Sequence, residues 1–482
     1  MMILVLDVGT TTLRAAVVDD DLAIVALSAR QSPPDTPMPG LVEFDAAAMA
    51  RVAVDAAGEA LARAGATVDA VGITTQRAST IVWDRATGEP IAPALGWQDL
   101  RTVIECITAK AEHGLALAPN QSATKLAWLL DHVEGARDRD LCFGTVETWL
   151  AWTLSGGELH VTDHTNAAVG GLLLPDASGW NSKVLDVFGI PATVLPTVVD
   201  SSGVLGPASV LPGAPPIAAL VGDQQGSLVG QGCVRPGRAK ATFGTGGMLD
   251  ICRGPEAPAS AQRGAHGTFP IVAWSHAGAL TWGVEAIMLS AGTNVEWLRD
   301  DLGLLATSAE SHDVAAAVAT SDGVVYVPAL LGLGTPAWDY GARGSLFGVT
   351  RGTTRAHVVR AVLEGVAHRG ADLVAAAEAD TGLAIESLRV DGGMSENPTF
   401  VQALADATGR PIEVSPVVEA TTVGAAFLAG LAVGRWSDIA DADRAWRPSR
   451  VVEPSAPLDR AAWSKALERS AAWIPELSAL DF

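Results

Sequence analysis

The amino-terminal stretch ILVLDVGTTTLRAAVVDD, residues 3–20, places a carboxylate, a glycine and three hydroxyls between two apolar runs. Aspartate and glycine are common in tight turns, so Asp7 and Gly9 are compatible with an ordinary β-hairpin. They are equally compatible with a phosphate-binding turn, because glycine lets a ligand approach the backbone, and hydroxyls and N–H groups bind phosphate oxygens. The hydroxyl-bearing residues are Thr10, Thr11 and Thr12. Arg14 would add a positive charge, whereas Asp7 would repel phosphate and suits a metal ion.

Two later turns share this character. FGTGGMLDI, residues 243–251, again puts Gly-Thr between two strand-like runs. This weak echo of the first stretch suggests a duplicated fold whose two halves face one ligand. Further on, Asp391-Gly392-Gly393 separates a strand-like run from a predicted helix. A nucleotide could lie against such a glycine pair, although a plain strand-to-helix turn has the same pattern.

The elements that carry these turns alternate between strand and helix signals, which predicts an α/β architecture. Residues 44–65 are rich in alanine at helical spacing and end at a glycine, and residues 124–133 are again helical. Residues 217–223 read as an apolar strand that ends in a carboxylate. Asn397 and Pro398 fit the cap and the first position of another helix.

A turn signal at Arg235-Pro236-Gly237 predicts two domains, residues 1–235 and residues 236–482. The length of 482 residues accommodates two large domains or three smaller ones. Hydrophobic residues make up 49% of the chain and charged residues 18%. This composition supports large cores and argues against disorder.

Charge and cysteine usage restrict the partners and the compartment. A net charge of −22 argues against binding to nucleic acid or to anionic membranes. The apolar run before Asp7 is too short for a signal peptide, and residues 423–434 fall short of the roughly 18 residues that span a membrane. The widely spaced cysteines are Cys106, Cys142, Cys233 and Cys252. We therefore predict reduced cysteines, a cytoplasmic location, and neither a membrane nor a nucleic-acid partner.

Several common catalytic motifs are absent from the sequence. There is no G-K-S/T phosphate loop, no HExxH, no GxSxG and no CxxC, and no GxGxxG opens a strand–helix unit at the amino terminus. Any ATP site must therefore work without the lysine of the common phosphate loop.

Nine short motifs occur in a fixed order: DVGTTTLR, GITTQRASTIVWD, LGWQDLRT, ATKLAWLLDHVEG, VGDQQGSLVGQG, FGTGG, GLGTPAWD, RGSLFGVTRG and VDGGMSENP. In this order they are similar to the motifs of the FGGY carbohydrate kinases. Within that family the chain most closely resembles the glycerol kinases, over about residues 2–475. Each motif alone is weak, whereas nine in order are specific. The resemblance implies two actin-like, ribonuclease-H-like α/β domains that flank a deep cleft, with ATP on one side and the polyol or sugar on the other.

The resemblance also implies ATP and Mg²⁺, and it assigns the opening turn to phosphate. The turn at Gly9–Thr12 would hold the β- and γ-phosphates, and Arg14 would reach the transferred phosphoryl group. Asp7 and Asp223 would lie near Mg²⁺ through water, since magnesium keeps several waters and uses few carboxylates. The other ATP-contacting positions, by match to the family, are Gly244, Thr245, Gly292, Glu296, Gly393 and Asn397.

Asp223 is the residue that we expect to act as the general base. It follows an apolar strand, and ligands gather at the carboxyl ends of strands in open α/β sheets. A kinase acting on an alcohol needs a base within hydrogen-bond reach of the hydroxyl. A carboxylate is adequate, because phosphoryl transfer relies mainly on positioning and charge neutralisation. From the residues alone, the favoured interpretation is that Asp223 and Gln224 merely cap the helix that follows.

Three further residues match substrate-contacting positions of glycerol kinases: Arg77, Trp97 and Gln224. Arginine can donate two hydrogen bonds to vicinal hydroxyls, and tryptophan offers an apolar face to the C–H side of a polyol. Without the resemblance, Trp97 could be one more core residue among 14 tryptophans, and Arg77 could form a surface ion pair.

Three pocket positions depart from the glycerol kinase pattern. Ala78 stands in place of a glutamate, Asn120 in place of a tyrosine, and Met248 in place of a phenylalanine. Losing the carboxylate alone should cost glycerol roughly 1.5–3 kcal/mol of charge-assisted hydrogen bonding. All three changes enlarge the pocket or make it more adaptable, which predicts a longer polyol of four or five carbons as the substrate.

The resulting prediction is an ATP-dependent kinase of a small polyol, glycerol-like or longer. The alternatives are a ketopentose kinase of xylulose or ribulose type and, from a different class, a non-catalytic actin-like ATPase. Xylulose kinases tend to show Gln-Met-His and Asp-Asn where this chain has Gln76-Arg77-Ala78 and Asp223-Gln224. A homodimer is expected from related kinases only. The segment GPASVLPGAPP has no basic residue, which predicts no inhibition by fructose 1,6-bisphosphate.

Overall fold

The computed structural model of the chain describes residues 1–260 and 262–480. Its strands are β1 (Ile3–Val8), β2 (Thr12–Val18), β3 (Ile24–Gln31), β4 (Glu43–Phe44), β5 (Ala70–Thr75), β6 (Ile81–Asp84), β7 (Ala94–Leu95), β8 (Leu141–Gly144), β9 (Val161–Asp163), β10 (Thr197–Val199), β11 (Ser202–Pro207), β12 (Pro216–Gly222), β13 (Ala239–Phe243), β14 (Gly247–Gly254), β15 (Phe269–His276), β16 (Ala279–Met288), β17 (Val325–Val327), β18 (Ser345–Phe347), β19 (Leu388–Asp391), β20 (Ile412–Val414) and β21 (Arg450–Val452). Its α-helices are α1 (Ala46–Ala64), α2 (Val103–His113), α3 (Ser122–His132), α4 (Val146–Leu154), α5 (His164–Val169), α6 (Ser182–Phe188), α7 (Asp223–Gly230), α8 (Thr293–Asp300), α9 (Glu310–Ala316), α10 (Arg355–Thr381), α11 (Pro398–Thr408), α12 (Ala420–Ala432), α13 (Asp441–Ala445), α14 (Arg460–Ser470) and α15 (Pro475–Ser478).

Thirteen strands form one continuous sheet, in the order β21-β20-β19-β13-β14-β16-β15-β11-β12-β5-β1-β2-β3. The first half of the chain contributes an antiparallel β1-β2-β3 unit, followed by β5 and β12 running parallel to β1. The second half contributes an antiparallel β13-β14-β16 unit, followed by β19 and β20 running parallel to β13. The two halves therefore repeat one strand order, and the predicted α/β fold with two actin-like units is confirmed.

Helices α7 and α12 cross at very short range and join the two halves. A Cβ atom at Gly230 would collide with the carbonyl oxygen of Ala420, and one at Gly424 would collide with that of Gly226. Across the sheet, a Cβ atom at Gly72 would lie 2.8 Å from the carbonyl oxygen of Ala425. Because glycine has no side chain, these positions let helix backbones approach each other and the sheet more closely than other residues would permit.

The apolar core beneath this crossing is shared by both halves. Buried residues of β1, β5 and β12 pack with buried residues of α7 and α12 in one cluster: Ile3, Val5, Ala70, Ala218, Val221, Leu228, Val229, Ala425, Phe427, Leu428 and Ala429. Helix α12 follows the predicted boundary at residue 235, yet it covers strands that precede that boundary.

The local predictions tested by the structure are confirmed. Helix α1, predicted within residues 44–65, spans Ala46–Ala64 and stops at Gly65 with φ 61°, as predicted; its cap, Asp45, was not predicted. Helix α11 begins with Asn397 accepting from the Phe400 N–H at 3.1 Å, with Pro398 at its first position. Cys106, Cys142, Cys233 and Cys252 form no disulfide bond, in agreement with the predicted reduced state, and all of them are buried. Among the described helices, none combines the length and apolarity required for a membrane crossing.

Candidate active site

The opening stretch forms the predicted hairpin between β1 and β2. The Gly9 N–H donates to the Thr12 carbonyl at 3.0 Å and closes the turn. The Thr10 hydroxyl accepts from the Trp97 indole N–H at 3.0 Å, which ties the turn to a predicted substrate residue. Thr11 lies exposed at the tip of the turn. The Arg14 side chain is engaged by Glu419 at 3.1 Å, so in this conformation it faces helix α12.

Asp7 lies buried at the end of β1, beneath this hairpin. Its Oδ2 accepts from the Thr422 hydroxyl of α12 at 3.0 Å. The pKa of Asp7 is raised to about 7, mainly by burial; the charges of Glu419 and Asp223 act in the same direction, whereas Arg14 and the hydrogen bond from Thr422 oppose the shift. A divalent cation would reverse this effect, because it favours the ionised carboxylate.

Asp223 is the first residue of α7, directly after β12. Its Oδ1 accepts from the Gln224 N–H at 2.8 Å and lies 3.5 Å from Arg77 Nε. The cap position is Gly222 and has no side-chain hydrogen bond, so Asp223 is not a conventional helix cap. Burial raises the pKa of Asp223, and the guanidinium of Arg77 opposes this shift. A raised pKa makes the carboxylate a better proton acceptor, which suits a general base.

Asp7 and Asp223 are close enough to influence each other's ionisation and offer hard oxygen donors. The described residues contain no group of three or more acidic, histidine or cysteine side chains that could hold a metal. Magnesium commonly binds proteins through only one or two carboxylates and completes its shell with water and substrate phosphate. The two aspartates therefore fit Mg²⁺ and do not form a closed all-protein metal site.

Arg77 connects the two halves across the cleft. Its Nη2 donates to Glu285 Oε2 of β16 at 2.7 Å, and its Nη1 lies 3.4 Å from Gln225 Oε1. Because Asp223 lies on the Nε side, the guanidinium has acidic partners from both halves. Only 12% of the Arg77 side chain is exposed, so Arg77 does not form the surface ion pair considered above.

The wall beside Arg77 carries Ala78 and Trp97. Ala78 is buried with φ 61°, a left-handed conformation that is uncommon for a residue other than glycine. Its carbonyl accepts from the Ser122 hydroxyl at 3.1 Å. Trp97 is half-buried, and its N–H donates to Ser79 Oγ at 3.1 Å. Asn120 is exposed, before α3, and only its carbonyl joins this wall.

The buried Lys125 organises this wall and was not predicted. Its ammonium donates to the carbonyls of Gly96 at 2.8 Å, Trp97 at 3.1 Å and Asn120 at 3.4 Å. Burial lowers its pKa to about 7. The available sequence signal was a lone lysine within the otherwise apolar helix TKLAWLL, which is unusual for a buried face.

The opposite wall is the sheet of the second half. Met248 and Asp250 are two residues apart on β14, so their side chains lie on the same face of the sheet. In the strand register, Asp250 is opposite Lys240 of β13 and Glu285 of β16. Lys240, Asp250 and Glu285 are all buried. These three charged residues were not predicted, although an acid and a lysine inside apolar strands are visible in RAKATFGTGGMLDI.

The predicted ATP residues of the second half lie on turns that the fold brings together. The Gly292 N–H donates to the Gly244 carbonyl at 2.8 Å, beside the exposed Thr245. A Cβ atom at Gly392 would lie 2.6 Å from the Phe243 carbonyl, which places the turn before the exposed Gly393 against the same strand end. The Asn397 amide donates to Ser311 Oγ at 2.9 Å while its oxygen caps α11. Glu296 lies exposed on α8.

Two facing actin-like units with a Gly-Thr hairpin on each side of the cleft define the actin-like class of proteins, and the family match decides which member of that class this is. The chain belongs to the FGGY family of carbohydrate kinases: residues 2–230 match the family's N-terminal domain and residues 239–433 its C-terminal domain. It is accordingly an ATP-dependent polyol kinase, and the ketopentose alternative is less favoured.

Individual relatives support this assignment. The chain is 42% identical to the glycerol kinase of Rhodopirellula baltica, covering 99% of this chain and 92% of the relative, and 44% identical to that of Aromatoleum aromaticum, covering 98% and 99%. The crystal structure of Plasmodium falciparum glycerol kinase with ADP superposes with a TM-score of 0.90 at 29% identity, over 97% of this chain and 98% of that one. The xylulose kinase of Rhodospirillum rubrum, with a TM-score of 0.86 at 22% identity over 99% and 100%, shares the fold.

Proposed function

We propose that the protein transfers the γ-phosphoryl group of ATP to a hydroxyl of a small polyol, with Asp223 as the general base. The observation that carries this proposal is the placement of Asp223 at the start of α7, with a raised pKa and Arg77 3.5 Å away. The carboxylate can take the proton of a hydroxyl, while the guanidinium binds its neighbour on the same substrate.

Arg77, Trp97 and Gln224 are proposed to hold the polyol. The guanidinium is already oriented by Glu285, so little side-chain entropy is lost when it binds hydroxyls. The indole N–H of Trp97 donates to Thr10 and its backbone N–H donates to Ser79, so the ring is held in place and offers a rigid apolar wall.

ATP is proposed to lie between the hairpin at Thr10, Thr11 and Thr12 and the turns of the second half, the latter through Gly244, Thr245, Gly292, Glu296, Gly393 and Asn397. Arg14 would exchange Glu419 for the transferred phosphoryl group, and this exchange would couple ATP binding to helix α12. Asp7 and Asp223 would hold Mg²⁺, which when bound neutralises charge on the phosphates.

The substrate is proposed to be a polyol of three to five carbons, with the four- and five-carbon compounds preferred over glycerol. The curated relatives are named glycerol kinases, which supports the shorter substrate. Against glycerol, Ala78 supplies no carboxylate at a position where the glycerol kinase pattern has one, and Met248 is smaller at its tip than phenylalanine. A site built on hydroxyl recognition discriminates strongly when one partner is missing.

The remaining expectations are part of the same proposal. Residues 1–235 and 236–482 would be the two sequence domains. A homodimer is proposed because related kinases are often dimers or tetramers. A cytoplasmic location is proposed from the four free thiols.

The test is ADP release by the purified protein with Mg²⁺ and ATP. The acceptors are glycerol, erythritol, the arabitols, xylitol, ribitol, D-xylulose and L-ribulose, with Asp223→Asn as the control. A four- or five-carbon polyol that exceeds glycerol by about tenfold in kcat/KM, together with an inactive control, supports the proposal. A preference for glycerol refutes the size argument, and a preference for a ketopentose supports the alternative. If no compound stimulates ADP release, the kinase proposal itself fails.

A further inference from the structure

Lys240 lies fully buried behind the candidate substrate pocket, on the sheet of the second half. Its ammonium has three neighbours: Gln224 Oε1 at 2.7 Å, Asp250 Oδ2 at 2.8 Å and Thr242 Oγ1 at 3.1 Å. The contacts to Gln224 and Thr242 are hydrogen bonds and the contact to Asp250 is an ion pair, so an acceptor or an anion faces Lys240 on each of three sides, and an ammonium can only donate to them.

This contact fixes the orientation of the Gln224 side chain. Since lysine can only donate, the amide atom that faces it must be the oxygen, and the amide nitrogen must face the other way. Gln224 is half-buried beside Asp223, and its Nε2 makes no hydrogen bond within the described part of the chain. The amide N–H groups are therefore left for a ligand.

Asp250 supplies the counter-charge that keeps Lys240 in place. Both side chains are fully buried, and a buried ammonium without an anion would be strongly unfavourable. Neither carboxylate oxygen of Asp250 completes a hydrogen bond with a described residue, so Asp250 is tied to Lys240 by the 2.8 Å ion pair and to no other described donor. Glu285, its neighbour across the strands, is occupied by Arg77.

We propose that Lys240 and Asp250 form a positioning pair that locks the Gln224 carboxamide, so that Gln224 recognises a substrate oxygen only as a hydrogen-bond donor. The proposal rests on the function proposed above, in which Gln224 contacts the polyol. Lys240 and Asp250 would thus help to determine substrate specificity although neither of them touches the substrate.

The test is a mutant cycle on kcat/KM for the best polyol. The variants are Gln224→Ala, the pair variant Lys240→Met/Asp250→Leu, and the triple variant. Removing both charges of a buried pair together is far less disruptive than removing one, so the pair variant should fold. We expect Gln224→Ala to lower kcat/KM about tenfold and the pair variant to lower it about three- to tenfold, whereas the pair change should cost less than about twofold once Gln224 is already alanine.

The donor role has its own test in Gln224→Glu. This isostere keeps the bond to Lys240 but presents an acceptor to the cleft, so kcat/KM should fall at least as far as in Gln224→Ala. Unfolding midpoints and KM for ATP are measured throughout, with Arg410→Met/Glu378→Gln as the matched control. That control removes an ion pair of 2.7 Å whose partners lie outside the pocket, and kcat/KM should not change. If the pair variant does not fold, Asp250→Asn replaces it in the same cycle.

The outcomes separate the two proposals. Equal losses from the pair variant with and without Gln224 overturn the positioning pair and leave the proposed function intact. Full activity in Gln224→Glu overturns the donor role. An unchanged kcat/KM in Gln224→Ala shows instead that the proposed contact between Gln224 and the polyol is wrong, and the positioning pair is wrong with it.

Discussion

Restoring a carboxylate at position 78 should shift the substrate preference toward glycerol. Ala78 already adopts φ 61°, and Ser122 holds its carbonyl at 3.1 Å, so a glutamate would inherit the same backbone without new strain. The added carboxylate should give a glycerol hydroxyl about 1.5–3 kcal/mol of charge-assisted hydrogen bonding. At about 1.4 kcal/mol per tenfold change, this corresponds to a 10- to 100-fold gain.

The added negative charge affects the kcat/KM of each substrate, but it does not affect the ratio of kcat/KM between two substrates. In the pocket and directly behind it, the two cations Arg77 and Lys240 face three acids, so one more carboxylate increases an existing negative excess. The three acids are Asp223, Asp250 and Glu285. This repulsion acts on every substrate alike and cancels when glycerol is compared with erythritol.

The assay is coupled ADP release with the wild-type protein, Ala78→Glu and the uncharged control Ala78→Gln. The ratio of kcat/KM for glycerol to that for erythritol should rise about tenfold or more in Ala78→Glu and by less than about threefold in Ala78→Gln. If the ratio does not move, or if both variants move it equally, the missing carboxylate does not determine specificity and the reasoning is refuted.

Three further predictions concern Lys125, Glu147 and fructose 1,6-bisphosphate. Lys125→Met should raise KM for the polyol about tenfold and leave KM for ATP within about twofold, because three carbonyls of the substrate wall lose their common donor; an equal change in both KM values would contradict this role. Burial raises the pKa of Glu147 from 4.5 to about 7, so the folded protein favours the neutral acid. The contribution of Glu147 to the free energy of unfolding is therefore largest below pH 4.5 and is lost as the pH rises to 7, because the unfolded chain releases this proton first. Glu147→Gln stays neutral and keeps the acceptor for three threonine hydroxyls. Between pH 4.5 and 7.5 its free energy of unfolding, measured with denaturant, should exceed that of the wild type by up to about 3 kcal/mol. A lower free energy of unfolding than the wild type over that range would refute the raised pKa. Fructose 1,6-bisphosphate at millimolar concentration should leave the activity unchanged in the same coupled assay, because residues 206–216 carry no basic side chain for its phosphates.

Much of the local structure could be predicted because its causes are local. The stop of α1 and the cap of α11 follow from single residues, Gly65 and Asn397. The position of Asp223 at the end of a strand follows from the apolar run before it.

The parts that could not be predicted depend on contacts between distant segments. Arg14 is 405 residues from Glu419 in the sequence, and no local pattern links them. Lys240, Asp250 and Glu285 converge only because β13, β14 and β16 are adjacent in the sheet. Family likeness did identify Asn120, but its exposure depends on how α3 begins, which the sequence does not reveal.

The crossing of α7 and α12 makes the halves of this chain inseparable, even though the sequence divides cleanly. A fragment that ended near residue 235 would lose the helix that covers β1, β5 and β12, and Asp7 would lose its bond from Thr422. The other fragment would keep α12 with its apolar face uncovered and its glycines facing water. The covalent boundary and the cooperative unit therefore do not coincide, and we expect neither half to be viable as an independently expressed protein, whereas the two halves produced together should reassemble around α12.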